Sequence, residues 1–327
     1  MHFYVYCELR IEINLTTNMK KLAFMLFGAS LLFVAGCKKE STDDGSGDNG
    51  ALVVEKKQRS MVGYVTATWC GPCGAYGGPN FKKAIDEVGE DNITMLNIHT
   101  STSKLTPYFK RPSSMNNPDS VYIAPVFGGI FNSLNIPTTS SGGISIPSFS
   151  MNGGLIGTSN VTSAMIKENA TAHNANAPQI GVAARKKITG NTISVEIKTE
   201  TYEELNGEYF VTALVLEDKV MGLQTGAPDP TNTEHRNVVR ACMNGGGELY
   251  NQKMFDDMPF ASGTVAAGSE YSTTINLNYQ RYTAANINPN FGLVEWDMAP
   301  ANTKIAVIVW AKFDNTKYIY VNSVVAK

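Results

Sequence analysis

The run Trp69-Cys70-Gly71-Pro72-Cys73, placed between a buried strand and an amphipathic helix, constrains this chain more than any other feature. Ser60–Thr68 carries Val62, Tyr64 and Val65 and reads as the strand. Beyond the cysteines, Phe81, Ala84, Ile85 and Val88 recur at the spacing of one helical face. Strand, then Cys-x-x-Cys, then helix is the order that dithiol chemistry needs. At the first helical turn Cys70 meets unpaired backbone N–H groups and the positive end of the helix dipole, which favour thiolate. A thiol pKa lowered from about 8.5 to about 7 raises the thiolate fraction at neutral pH from about 3% to about 50%. Cys73, one turn on, is placed to attack a mixed disulfide and release its product. Gly71-Pro72 keeps the turn tight, and proline early in a helix costs little. A Cys-x-x-Cys pair is also half of a zinc site. No second pair exists, and His99, His173 and His235 are scattered, so no metal is expected. A structural disulfide without turnover is the other reading of the pair.

The pentapeptide matches the active-site motif of the thioredoxin family, which it resembles in two further features, in order. Ile93–His99 reads as the next buried strand, and Ile146-Pro147-Ser148-Phe149-Ser150-Met151-Asn152-Gly153-Gly154 looks like the cis-proline strand and its turn. The resemblance implies that Pro147 sits against the dithiol and that Ile146 offers backbone hydrogen bonds to a substrate, with Trp69 beside them. It covers roughly residues 52–178, with Val161–His173 as the last helix. The sequence departs from the family at three points. Tyr64 stands six residues before Cys70, where thioredoxins carry a buried aspartate that helps deprotonate the second cysteine. Gly74, Gly77 and Gly78 weaken the helix after the motif, and Pro79 lies one residue later than the usual kinking proline. Residues 101–143 form a long insertion with Tyr108, Phe109, Tyr122, Phe127 and Phe131 among Pro and Ser.

The N-terminus reads as an address. Met19-Lys20-Lys21 opens a positive segment, and the apolar run Leu22–Val34 is too short to span a bilayer. It ends in Val34-Ala35-Gly36-Cys37, which resembles a bacterial lipobox and implies lipidation of Cys37. Residues 1–18 are then expected to be a misassigned start extension and 19–36 a signal peptide. The polar, Ser-, Asp- and Gly-rich residues 37–51 form a flexible tether, because such a segment buries too little apolar surface to fold. Cys37-Lys38-Lys39-Glu40 followed by Asp43-Asp44 looks like the charged lipoprotein-export signals of Bacteroidetes-type bacteria, which implies an outer-membrane lipoprotein facing the periplasm or the cell surface. Asp119-Ser120-Val121 resembles a short O-glycosylation pattern of the same bacteria.

From about Gln179 the texture changes. Thr192–Thr199 alternates apolar Ile193, Val195 and Ile197 with polar residues, the pattern of a half-buried antiparallel strand. Tyr209–Leu216, Tyr271–Tyr279, Lys304–Lys312 and Lys317–Val325 read similarly, with Asp314-Asn315 turning the last hairpin. Residues 179–327 are therefore expected to form an all-β sandwich, immunoglobulin-like or jelly-roll, following the α/β thioredoxin-like domain. Glu234-His235-Arg236-Asn237-Val238-Val239-Arg240-Ala241-Cys242 is read as part of a long inter-strand region running to about Pro259. Either its charges satisfy one another, or they form a basic patch docking against the dithiol face or a partner. The segment resembles one of the outer membrane protein 28 family, which joins a thioredoxin-like half to a β-sandwich half on a lipoprotein. Cys242 is expected to be a buried free thiol.

With 327 residues the chain suits two domains, and its net charge of −2 gives no electrostatic reason for a nucleic-acid partner. Five cysteines are too few for a disulfide scaffold. The expected function is thiol–disulfide exchange on exported proteins without a cofactor, with Cys70 attacking and Cys73 resolving, and with the lipid anchor as the membrane contact. The alternative is a non-catalytic surface binding lipoprotein that uses the fold as a scaffold.

Overall fold

The computed structural model describes residues 50–99, 134, 144–190, 192–243, 259–278, 302–313 and 317–326. The expected signal peptide, Cys37, nearly all of the tether, Asp119-Ser120-Val121, the Asp314-Asn315 turn and the insertion 101–143 apart from Leu134 lie outside the described residues.

The first half begins with β1 (Ser60–Thr66), buried throughout, which delivers the chain to the cysteines. A π-helical turn, Cys73–Gly77, leads into α1 (Gly78–Val88). Then follow β2 (Ile93–His99), β3 (Ser148–Met151), β4 (Gly154–Gly157) and α2 (Ser163–Asn174). Strand β1 pairs in parallel with β2 and antiparallel with β3, and β3 pairs antiparallel with β4. The period of 2 along β1 divides its side chains between two cores. Val62 and Tyr64 pack with Phe81, Ala84 and Ile85 of α1 and Ile166 and Ala170 of α2. Met61 and Val65 face the other way, toward Leu134, Leu214, Leu216 and Trp310.

The second half contains β5 (Ile180–Thr189), β6 (Thr192–Thr201), β7 (Leu205–Glu217), β8 (Val220–Gly222), β9 (Thr233–His235), β10 (Val238–Met243), β11 (Pro259–Val265), β12 (Glu270–Asn278), β13 (Thr303–Lys312) and β14 (Tyr318–Ala326). The alternation read in the sequence for β6 is realised residue by residue: Ile193, Val195 and Ile197 are buried and their neighbours half-exposed. They form, with β5 and β12, a three-stranded layer. Its apolar face packs on Val211, Ala213 and Val215 of β7 and Ile305, Val307 and Val309 of β13. Two packed β layers are thus present, as a sandwich requires.

One of those layers does not stop at the boundary near Gln179. The main sheet has the order β14-β13-β7-β10-β2-β1-β3-β4, with β11 also on β7. The junction is β10, antiparallel to β7 on one side and parallel to β2 on the other. The two halves expected as separate domains, 52–178 and 179–327, therefore share a sheet, and residues 50–327 cluster as one unit. The reading of 234–242 as inter-strand loop is corrected: it forms β9 and the interior strand β10. The charged side chains of this stretch are paired, and one pair is fully buried. Arg240 Nε donates to Glu217 at 2.7 Å, with both side chains 3% exposed. Arg236 pairs with Asp218 and Asp86, and Lys304 with Asp218 and Glu90.

Candidate redox site

Beyond the last residue of β1, Cys70 N donates to the Ala67 carbonyl at 3.1 Å, closing a turn that presents Cys70 at the start of the helical segment. Gly74 N donates to the Cys70 carbonyl at 3.3 Å and begins the helical ladder. Cys70 and Cys73 are joined as a disulfide with Cα atoms 5.2 Å apart. The Cys73 backbone N–H points at the Cys70 Sγ, 3.1 Å away. That donor is the kind of group that holds a thiolate once the bond is reduced. Cys73 is fully buried and Cys70 is 4% exposed, while Trp69 beside them is 52% exposed.

The Ile146–Pro147 bond is cis, and Ile146 packs against Ala67, Cys70 and Cys73. The structure thus brings Trp69, Cys70, Cys73, Ile146 and Pro147 into one locus, although the two segments lie far apart in sequence. Cys242 is elsewhere: it lies on β10 in the core shared by both halves, a free thiol that burial pushes up to about 12.

Tyr64 fills the space beneath the motif. Its ring stacks on Phe149 at 4.7 Å and its hydroxyl donates to the Cys73 carbonyl at 3.2 Å. Burial raises its pKa above the usual tyrosine value, so it serves as a donor to backbone and not as an anion. Two of the three glycines that weaken the helix in sequence, Gly74 and Gly77, are explained by close approach. A Cβ on Gly77 would stand 2.7 Å from the Tyr64 hydroxyl oxygen and 3.2 Å from Pro147 Cβ. One on Gly74 would stand 2.2 Å from the Thr225 carbonyl oxygen.

The last contact identifies what the sequence reading missed: the strap Gln224–Ala227, from the second half, lies directly on the cysteine motif. Thr225 N donates to the Thr68 carbonyl at 2.8 Å. Gln224 Nε2 donates to the carbonyls of Ala67 at 3.1 Å and Cys70 at 3.0 Å. Gly226 (φ +83°) approaches so closely that a Cβ there would be 2.2 Å from the Gly71 carbonyl oxygen. The signal available in the sequence was Gly74, which reads there only as a weakening of the helix; nothing in the pattern points to Gly226. A cavity of about 300 Å³ is lined by Tyr64, Phe81 and Lys82 from the first half and by Gln224, Ala227 and His235 from the second. His235 Nε2 donates to the Leu223 carbonyl at 3.2 Å, and its ring meets that of His99 edge-on, centroids 5.3 Å apart. Burial lowers both imidazoles, His235 to about 4 and His99 well below its usual 6.5, and the nearby Arg240 charge adds to the effect.

No protein-family model and no curated protein sequence matches this chain. Among solved structures, HBP35 of Porphyromonas gingivalis superposes with a TM-score of 0.56 at 14% sequence identity, over 84% of this chain and 76% of that one. The likeness is one of fold. It joins this chain to a protein of a Bacteroidetes bacterium in architecture, a β-rich arrangement with a mixed sheet and few helices.

Proposed function

We propose that this chain is an exported lipoprotein whose Cys70–Cys73 pair exchanges with thiols or disulfides of extracytoplasmic proteins. The observation that carries the reading is the closed Cys70–Cys73 pair at the end of β1, with Ile146 of a cis Ile146–Pro147 bond packed against it. In the reduced protein the Cys70 thiolate attacks one sulfur of a client disulfide and expels the other as a client thiolate. Cys73, deprotonated, then attacks Cys70 Sγ, releasing the second client thiol. Two electrons pass to the client and the Cys70–Cys73 disulfide returns. Ile146 presents backbone to the client, Pro147 shapes the contact, and Trp69 offers exposed apolar surface. Exchange needs no metal or nucleotide. Acyl chains on Cys37 would hold the protein at the outer membrane, on its periplasmic or outer face.

The scaffold reading, a binding lipoprotein without turnover, has one observation on its side. Tyr64 replaces the acid that would take the Cys73 proton, and its hydroxyl is committed to the Cys73 carbonyl. Trapping separates the two. Cys73→Ser expressed in the native host should accumulate mixed disulfides through Cys70, which reductant releases, and Cys70→Ser should accumulate few. Equal and negligible trapping by both variants would favour the scaffold.

A further inference from the structure

Both ends of the Ala67–Cys70 turn carry a carbonyl that already accepts one backbone hydrogen bond. Cys70 N reaches the Ala67 carbonyl, and Gly74 N reaches the Cys70 carbonyl. A single side-chain amide, Gln224 Nε2, donates to both oxygens, at 3.1 and 3.0 Å. That amide is not a surface accident. Gln224 is 4% exposed, its own backbone N–H donates to the Pro230 carbonyl at 2.9 Å, and its carbonyl accepts from Ala227 N at 3.2 Å. Thr225 N ties the same strap to Thr68 at 2.8 Å. The amide therefore spans the turn that aims Cys70, from a segment 154 residues away in sequence.

We propose that Gln224 is a positioning residue for the dithiol, acting through the Cys70 backbone to set how readily the disulfide is reduced. This rests on the redox reading of Cys70 and Cys73 and deepens it. The physical chain is short. The Cys73 N–H meets Cys70 Sγ only if the Cys70 backbone holds its place, and the 3.1 Å contact is the donor that a thiolate keeps. Gln224 fixes that backbone at both ends of its turn. The amide also brings partial positive charge to the carbonyl of the residue that bears the reactive sulfur. Both effects stabilise the reduced, thiolate form relative to the disulfide. Without the amide, two buried carbonyls each lose a donor, the turn relaxes, and the disulfide becomes harder to reduce.

The test uses the full chain, equilibrated with reduced and oxidised glutathione, with Cys70 alkylation followed against pH as a second readout. Gln224→Met keeps the length of the side chain and removes both donors. It should shift the equilibrium toward the disulfide by about threefold, about 14 mV at ~30 mV per decade for this two-electron couple. The Cys70 alkylation midpoint should rise in parallel. Gln224→Glu keeps the shape and turns an oxygen toward the two carbonyls, and it should shift both readouts at least as far in the same direction. If the methionine variant does not fold, the glutamate variant decides. Equilibria for both folded variants within about 1.5-fold of the parent, or a shift toward the dithiol, would overturn the proposal and leave Gln224 as packing. These equilibria are measurable whether or not the dithiol turns over clients. Absence of client trapping with an intact Gln224 effect would count against the redox function alone.

Discussion

At the scale of single residues, the site is built by atoms that are missing. Gly226 combines a φ of +83° with a would-be Cβ 2.2 Å from the Gly71 carbonyl oxygen, a backbone atom of the motif that cannot swing aside. Gly263 has φ +76° and open space around it. Gly226→Ala should therefore cost roughly 3 kcal/mol or more, from backbone strain and overpacking together. Gly263→Ala should cost about 1 kcal/mol, from conformation alone. Urea unfolding of the two variants checks the difference, and equal losses would mean that the strap gives way without resistance. The chemistry-bearing residues were legible at this scale. Cys70 and Cys73 announced themselves by local pattern, because a strand end and a helix start each leave a mark within a few residues, whereas Trp69, Ile146 and Pro147 were legible only through the resemblance to the thioredoxin family. Tyr64 was legible only as the absence of an acid. That its hydroxyl holds the Cys73 carbonyl follows from stacking between Phe81 and Phe149, which no spacing reveals.

At the scale of elements, alternation exposed β6 because one of its faces is buried and the other half-exposed. It hid β10, whose buried Arg240 looks like a surface charge until Glu217 of β7 is placed beside it. The same region makes stability depend on pH. His99 and His235 are held neutral in the fold, with His235 lowered from its usual 6.5 to about 4 by burial first and by Arg240 after it. The unfolded chain takes up protons on these imidazoles below about pH 6.5 while the folded chain does not, so stability is full above that value and falls as pH drops toward 4. Asp218 is held below its usual value by Arg236 and Lys304, against the opposing effect of burial, so it adds a further loss as pH falls through its folded pKa, below 3.8. His235 alone accounts for roughly 3 kcal/mol between pH 6.5 and 4. The urea midpoint should decline across that window, and His235→Gln should flatten the decline. An unchanged slope in the variant would show that His235 does not titrate in this way.

At the scale of the whole molecule, the two halves are bound by more than β10. Tyr320 of β14 donates to the Arg59 carbonyl at 2.6 Å, and the Asn322 side chain accepts from Arg59 N at 3.0 Å and donates to the Lys57 carbonyl at 3.0 Å. The last strand thus secures the entry to the first. The change of texture near Gln179 is real, yet texture reports local burial and not which strand edges meet, so the shared sheet was not legible in it. Heat or urea should unfold residues 50–327 in a single transition with coincident tryptophan fluorescence and circular dichroism. A chain ending at residue 178 should aggregate, because the β2 edge and the core face of Met61, Val65, Leu96 and Ile98 would be uncovered. A stable, monomeric 52–178 fragment would contradict the shared-sheet account. The central claim is that this assembly delivers Cys70 as the reactive thiol and buries Cys73 as its partner, and alkylation rate against pH for each thiol of the reduced full chain tests it most directly. Cys70 should react faster at neutral pH, with a midpoint well below the free-cysteine value of about 8.5, and Cys73 slower, with a midpoint above it. Equal rates, both titrating near about 8.5, would contradict a redox centre and leave a structural disulfide.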